Sequence, residues 1–376
     1  MISVCLAAAW LTFAPISPVQ PSAPDTDLSV LAATLREELG VPAIAIGVTA
    51  SEGEHRVAIA GHRTSAGEDP VTLDSRFHLG SLTKSMTATA AARLVERGVI
   101  RWDTTVGETD PELAAQLPES ARGITLAQLL SHRAGLPDDR SPGPIHMRLW
   151  MLDGPIRDQR HEATRLILSN NANAAPGEAM VYSNGGYIVA GWMLETAAGA
   201  SWEDILRKEV FEPIGMTHAG FGPPGLDPSD DRQPLGHGRQ GDQLNPVPAL
   251  IGADNPPVSG PAGRVHCSIT DLAAYARFHL RGLRDEPGDR LPHDAFVHLH
   301  ADPEGDGYAL GWGIQGEGRD RRSMHAGSNT RWYAVILVWP DRDLAVVAAM
   351  NAMPKSDPPV DILRRLLDAA DKAESP

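Results

Sequence analysis

Ser81 and Lys84 stand three residues apart in the stretch Phe77-His78-Leu79-Gly80-Ser81-Leu82-Thr83-Lys84-Ser85-Met86. From Leu82 to Arg97 the chain is rich in good helix formers, Leu82, Met86, Ala90, Leu94 and Val95 fall near helical spacing, and Gly98 offers a stop. This predicts a helix with Ser81 at its N-terminus. Residues three apart share a helix face, so the Lys84 amine can approach the Ser81 hydroxyl, and the free amides at the helix start favour a developing negative charge. Such an arrangement activates a poor nucleophile. The bland alternative makes Ser81 an N-cap and Lys84 a solvated surface residue. Against it, lysine is scarce, and Lys208, Lys355 and Lys372 have no serine three positions before them. A lysine on an Ala/Thr/Met-rich helix is also an odd choice for solubility.

Two further clusters carry side chains suited to the same chemistry. In Pro176-Gly177-Glu178-Ala179-Met180-Val181-Tyr182-Ser183-Asn184-Gly185-Gly186-Tyr187, a turn presents Tyr182 and Asn184 on one side and is followed by a helix to Leu194. His325-Ala326-Gly327-Ser328 comes just before a long apolar strand. Taken singly, a tyrosine near a turn is usually a packed ring and a histidine before a strand is usually structural.

Together, and in this order, Ser-x-x-Lys, Tyr-x-Asn and His-x-Gly resemble the motifs of the serine β-lactamase and penicillin-binding DD-peptidase superfamily, in its class C-like branch with related esterases and D-amino-acid peptidases. Leu129-Leu130-Ser131-His132-Arg133-Ala134-Gly135-Leu136-Pro137, Phe211-Glu212-Pro213-Ile214-Gly215-Met216 and Pro261-Ala262-Gly263-Arg264 leading to Thr270-Asp271-Leu272 are similar to that branch's framework segments. The resemblance runs from about Leu28 to Met350. It implies Ser81 as nucleophile, Lys84 and Tyr182 as a shared proton-handling pair, and Asn184 holding the substrate amide or the lysine. It also implies substrate contacts from His325, Gly327 and Ser328, with the amides of Ser81 and Ser328 as oxyanion hole.

The third motif departs from the lactamase pattern. Class C-like lactamases usually carry Lys-Thr-Gly there, whose cation and hydroxyl can meet a β-lactam carboxylate. His325 and Ala326 supply neither at neutral pH, since an ordinary histidine is mostly uncharged and alanine has no hydroxyl. Arg331 is a candidate substitute cation. The expected activity is that of a serine hydrolase acting through an acyl-enzyme on an ester or amide, a carboxylesterase or D-amino-acid peptidase. A non-turnover penicillin- or peptide-binding sensor and a true β-lactamase are the alternatives.

The elements that must position these residues read as follows. Leu28 to Leu39 is an amphipathic helix; Ala43 to Val48 and Val57 to Ala60 form a hairpin; Trp332 to Trp339 and Leu344 to Met350 form another around Pro340-Asp341-Arg342-Asp343; and Asp361 to Ala373 is a terminal helix. Between Trp102 and Gly260 short helices alternate with long Pro/Gly-rich loops and no run of strands stands out. The chain is therefore expected to be a mixed α/β (α+β) protein. Its antiparallel sheet is built from both termini and flanked by helices, with a mostly helical region inserted, as in β-lactamases and transpeptidases. The expected division is an apolar leader or anchor at 1–24, a sheet domain at 25–78 and 261–376, and a helical region at 79–260.

The net charge of −15 disfavours nucleic acid, so a small ester, peptide or β-lactam-like substrate is the expected partner. Ile2 to Ala14 resembles a signal peptide, which points to a periplasmic or extracellular location, and no later run is long enough to span a bilayer. Cys5 and Cys267 leave no disulfide framework. No cofactor is implied. Gly311-Trp312-Gly313-Ile314-Gln315-Gly316 and Gly220-Phe221-Gly222-Pro223-Pro224-Gly225 spell G-x-G-x-x-G, yet read as glycine-rich turns because neither follows a strand and opens a helix. His293, His298 and His300 lack a zinc-binding spacing, so no metal is expected.

Overall fold

The computed structural model describes residues 26–140, 143–169, 175–230, 232–286, 291–355 and 359–374; the apolar run Ile2 to Ala14 and Cys5 lie outside them. Its principal elements are α1 (Thr26–Leu39), β1 (Ala43–Thr49), β2 (Arg56–Gly61), α2 (Thr83–Glu96), α3 (Asn184–Ala198), α4 (Ile269–Leu283), β3 (Gly313–Gln315), β4 (Arg322–Ser328), β5 (Tyr333–Trp339), β6 (Leu344–Met350) and α5 (Pro359–Glu374). The strands form one antiparallel sheet in the order β2-β1-β6-β5-β4-β3. Both termini meet in it, because β1 runs against β6 from Ile44↔Met350 to Thr49↔Ala345.

Side chains on a strand point alternately to the two faces, and here both faces are covered. Ile44, Ile46 and Val48 of β1 pack with Val335, Leu337, Val346 and Ala348 under α1 and α5, alongside Leu28, Leu35, Ile362 and Leu366. Ala43, Ala45, Ile336, Val338, Ala345 and Val347 face the other way, into the core shared with α2, α3 and α4. Every residue of β1 and β6 is buried, so these strands read as continuous apolar runs and not as alternating ones.

The helical region is stitched together by local caps. Ser183 accepts from the Gly186 amide at the start of α3, Gly199 ends that helix at φ 70°, and Ser268 accepts from the Asp271 amide at the start of α4. Residues Thr83 to Leu94 of α2 are all buried, which explains a helix made of Ala, Thr and Met. Two expectations need correction. The long segment before Gly260 contains a hairpin, Gly236–Gln240 with Gln243–Val247, and Gly220–Phe221 and Gly313–Gln315 are short strands within the glycine-rich stretches. No helix among the described residues is long and apolar enough to cross a membrane.

Candidate active site

Ser81 lies in a 3-10 turn, Gly80–Leu82, and α2 begins only at Thr83. The α-helix thus starts two residues after Ser81, where it was expected to start at Ser81 itself. No side chain caps either element, which leaves the Ser81 hydroxyl unspent. Lys84 is fully buried, and its Nζ donates to Ser81 Oγ (3.1 Å), Asn184 Oδ1 (2.7 Å) and the Ala262 carbonyl (2.6 Å). Three oxygens match the three donors of an ammonium. Two of them are obligate acceptors, whereas the serine hydroxyl can also donate.

Asn184 is oriented by a carboxylate that the sequence reading passed over. Asp139 accepts from the Asn184 amide (2.6 Å), Asn184 Nδ2 (3.1 Å), the Gly185 amide (2.7 Å) and Ser183 Oγ (3.3 Å). It closes the N-terminus of α3 and turns the Asn184 side-chain oxygen toward Lys84.

Tyr182 is held from behind by His132. The His132 carbonyl accepts from the Val181 amide (2.8 Å) and its Nδ1 from the Ser183 amide (3.2 Å), clamping both neighbours of Tyr182, while the two rings lie 4.2 Å apart. Burial, reinforced by the positive charge of Lys84, pushes the His132 imidazole well below its usual range, so it is neutral. Lys84 Nζ sits 4.9 Å from the Tyr182 ring centroid, and no hydrogen bond joins the Tyr182 hydroxyl to Ser81 or Lys84.

The third motif comes just before the long strand β5, as expected, and is itself part of a strand, β4: His325 is paired with Ile336 and Ser328 with Tyr333. β3 covers the other edge of β4 only from Arg322 to Met324, which leaves the Gly327 end to the Ser81 turn. There the two backbones touch. A Cβ on Gly80, at φ +53°, would lie 2.4 Å from the Ser328 nitrogen, and one on Gly327 would lie 2.1 Å from the Leu79 carbonyl oxygen and 2.8 Å from the Ser81 nitrogen. Only glycine fits at either position. The Ser328 hydroxyl donates to Met353 Sδ (2.8 Å) and accepts from the Thr330 amide (2.9 Å), so it is already engaged on both counts.

His325 Nδ1 meets the Gly311 carbonyl at 2.6 Å, which assigns the proton to Nδ1 and makes Nε2 an acceptor. Burial and the nearby Lys84 charge outweigh that hydrogen bond and push the imidazole down to about 4. Arg331 also reaches the cleft, with Nη1 donating to the Ala253 carbonyl.

Ser81, Tyr182, Asn184, His325, Ser328 and Arg331 share one cleft of about 920 Å³. Leu136, Ile145, Leu149, Trp150, Ile167 and Ile188 make an apolar wall on the helical side, and Asn255, Asn329 and Thr330 a polar one opposite. Among the described residues no cluster of three or more His, Cys, Asp or Glu side chains is placed to hold a metal; His300 instead bonds His279 and Ser323 in the core.

A family model described as Beta-lactamase matches residues 31–370. The chain belongs to the beta-lactamase family. Among its relatives, penicillin-binding protein 4 of Amycolatopsis lactamdurans is 32% identical over 248 residues, covering 65% of this chain and 61% of that protein. The D-alanyl-D-alanine-carboxypeptidase/endopeptidase AmpH of Escherichia coli K12 is 22% identical over 329 residues, 84% of this chain and 81% of that one. The D-alanine carboxypeptidase AmpC structure from Burkholderia cenocepacia superposes with a TM-score of 0.73 at 19% identity, over 91% of this chain and 97% of the other, and so shares the fold. The chain spans 61, 53 and 46% of the lengths of the first three curated relatives it matches.

Of the residues with roles at the site that the sequence does not single out, Asp139 and His132 show only that they stand beside a turn. They flank Gly135-Leu136-Pro137, a turn that follows a short helix, Leu126–Leu130. What no local pattern announced is that this turn would meet the start of α3, 45 residues later in the chain from Asp139 to Asn184.

Proposed function

We propose that the chain is a serine acyl-transfer hydrolase cleaving uncharged esters or amides through an acyl-enzyme on Ser81. The observation that carries this reading is the oxygen cage around Lys84. In its amine form Lys84 gives its two N–H groups to the obligate acceptors, Asn184 Oδ1 and the Ala262 carbonyl, and its lone pair is left for the Ser81 hydroxyl, the one partner able to reverse its bond and pass its proton to nitrogen. In that step Ser81 Oγ bonds the substrate carbonyl carbon, the Oγ proton moves to Lys84, and the carbonyl electrons become an oxyanion facing the amides of Ser81 and Ser328. Collapse expels the leaving group, which takes that proton from Lys84, directly or relayed through Tyr182, and so restores the amine. Water then repeats the sequence on the acyl-enzyme and releases the acid.

His325 supports the choice of an uncharged substrate. With Nδ1 committed to Gly311, its remaining nitrogen accepts hydrogen bonds, and an acceptor facing a carboxylate repels it. The apolar wall favours an acyl or leaving group of some bulk. Arg331 in the same cleft favours a second reading, a D-amino-acid peptide whose terminal carboxylate it would bind.

The test compares kcat/KM for p-nitrophenyl butyrate with that for nitrocefin, alongside labelling by a serine-directed phosphonate. The expected result is a larger value for the ester, and no label on Ser81→Ala. A larger value for nitrocefin would overturn the substrate choice, and a labelled Ser81→Ala would overturn the nucleophile.

A further inference from the structure

An aspartate and a histidine lie beside the nucleophile turn and belong to none of the motifs above. Asp254 and His78 are joined at 2.9 Å between Oδ2 and Nε2, and both side chains are completely shielded from solvent. An Asp-His pair three positions from a serine invites a charge-relay reading. The atoms exclude it, because both imidazole nitrogens are spent: His78 Nδ1 accepts from the Gly80 amide at 3.1 Å, which leaves the proton on Nε2, donated to Asp254. The pair is directed at backbone, not at Ser81.

The rest of the carboxylate points the other way. Asp254 Oδ1 accepts from Asn329 Nδ2 (3.0 Å) and from the Asn255 amide (2.8 Å), and Arg264 Nε approaches Oδ2 at 3.4 Å. Asn329 follows Ser328 directly, and its own Oδ1 takes the Arg331 amide (3.3 Å), bracing a turn in which Thr330 holds φ 71°. Gly80 precedes Ser81 directly and holds φ +53° against the Ser328 backbone. One buried carboxylate thus holds, through His78, the residue before one proposed oxyanion amide and, directly, the residue after the other. Burial opposes its charge, but the His78 attraction and hydrogen bond, with Arg264 and Asn329, more than offset this and hold the carboxyl well below the usual range.

We infer that Asp254 is a positioning residue that sets the separation and direction of the Ser81 and Ser328 amides, through His78 on the nucleophile side and Asn329 on the strand side. This rests on reading those amides as the oxyanion hole. Its logic is one of donors. Every side-chain group that faces Asp254 is an N–H, so the amide of Asp254→Asn must set its own NH2 against a donor whichever way it turns. His78 can relieve the clash only by moving its proton to Nδ1, which takes the acceptor away from Gly80.

The experiment measures kcat and KM for p-nitrophenyl butyrate and the inhibition constant of phenylboronic acid, whose tetrahedral adduct with a serine mimics the oxyanion, in the parent, Asp254→Asn, Asn329→Ala and Ser81→Ala. Asp254→Asn is expected to lower kcat roughly 10²-fold, on the order of one lost oxyanion donor, with KM within about threefold. Boronate affinity should fall in step with kcat/KM, and the pH profile of kcat should keep its shape because Asp254 transfers no proton. Asn329→Ala removes only the strand arm and keeps the His78 and Arg264 pairs, so it decides the matter if Asp254→Asn fails to fold; a loss of about tenfold in kcat and in boronate affinity is expected. Unchanged boronate affinity in the folded variants, or a loss confined to KM, overturns the inference while leaving the nucleophile assignment standing if Ser81→Ala is dead. Hydrolysis surviving in Ser81→Ala overturns the functional reading itself.

Discussion

Replacing Gly327 by alanine tests how closely β4 must approach the Ser81 turn. The added methyl would sit 2.1 Å from the Leu79 carbonyl oxygen, 2.7 Å from the Leu82 nitrogen and 2.8 Å from the Ser81 nitrogen. All three are backbone atoms, so no side chain can swing aside. Restoring ordinary carbon-oxygen contact requires the strand and the turn to part by on the order of 1 Å, since non-bonded carbon atoms pack best at about 3.5–4.0 Å and oxygen only slightly closer. In the proposed oxyanion hole, a donor displaced that far no longer meets the developing charge. Loss of one such donor costs roughly 10²–10³ in kcat, about 2.7–4 kcal/mol, while overpacking of this kind costs about 1–3 kcal/mol of stability. The assay is kcat/KM for p-nitrophenyl butyrate together with a urea unfolding curve, with Gly238→Ala as control because a Cβ there has nothing within 4 Å. The expected outcome is a folded but severely impaired enzyme and an unaffected control. A folded Gly327→Ala variant with kcat within threefold of the parent would refute the reasoning.

Three other outcomes follow from the same structure. Asp139→Ala strands four donors around the start of α3 and frees the Asn184 amide, so kcat/KM for the ester should drop about 10- to 100-fold and stability by about 1–2 kcal/mol; an unchanged kcat/KM would show that Asn184 needs no such anchor. Burial lowers His300 to about 3 and His266 and His325 to about 4, and holds His279 well below its usual range. The unfolded chain, with histidines near 6.5, therefore takes up protons first. Their contribution to stability is complete above about pH 6.5 and is lost as pH falls toward 4, at roughly 1.4 kcal/mol per pH unit for each histidine. The urea midpoint should be clearly lower at pH 5 than at pH 7.5, and an equal or higher midpoint at pH 5 would contradict this. Arg160, fully buried, pairs with Glu195 and Glu203 and donates to the Val258 carbonyl, so Arg160→Met should cost about 3–5 kcal/mol in denaturant; a loss below about 1 kcal/mol would mean that the pair is dispensable.

The hairpins at either end of the chain, the terminal helices and the Ser81–Lys84 face are determined by the sequence itself, because their signals lie within a few residues. Leu344 to Met350 is apolar throughout and bounded by Asp343 at φ 49°, and Lys84 is one helical turn from Ser81 whatever surrounds them. β4 has no such signal. Arg322-Ser323-Met324-His325-Ala326-Gly327-Ser328 is poor in β-branched and aromatic residues, and it is a strand because β5 pairs with it and Gly327 lets it lie against the nucleophile turn. Asp139 and Asp254 are likewise ordinary acidic residues in loops until α3 and His78 arrive beside them, across 45 and 176 positions of chain. Helical and strand periodicity is a property of neighbours along the backbone and can be read there. Which acceptor satisfies a buried amide, and which two backbones must touch beside Ser81, depends on groups brought together only when the sheet closes between the two ends of the chain.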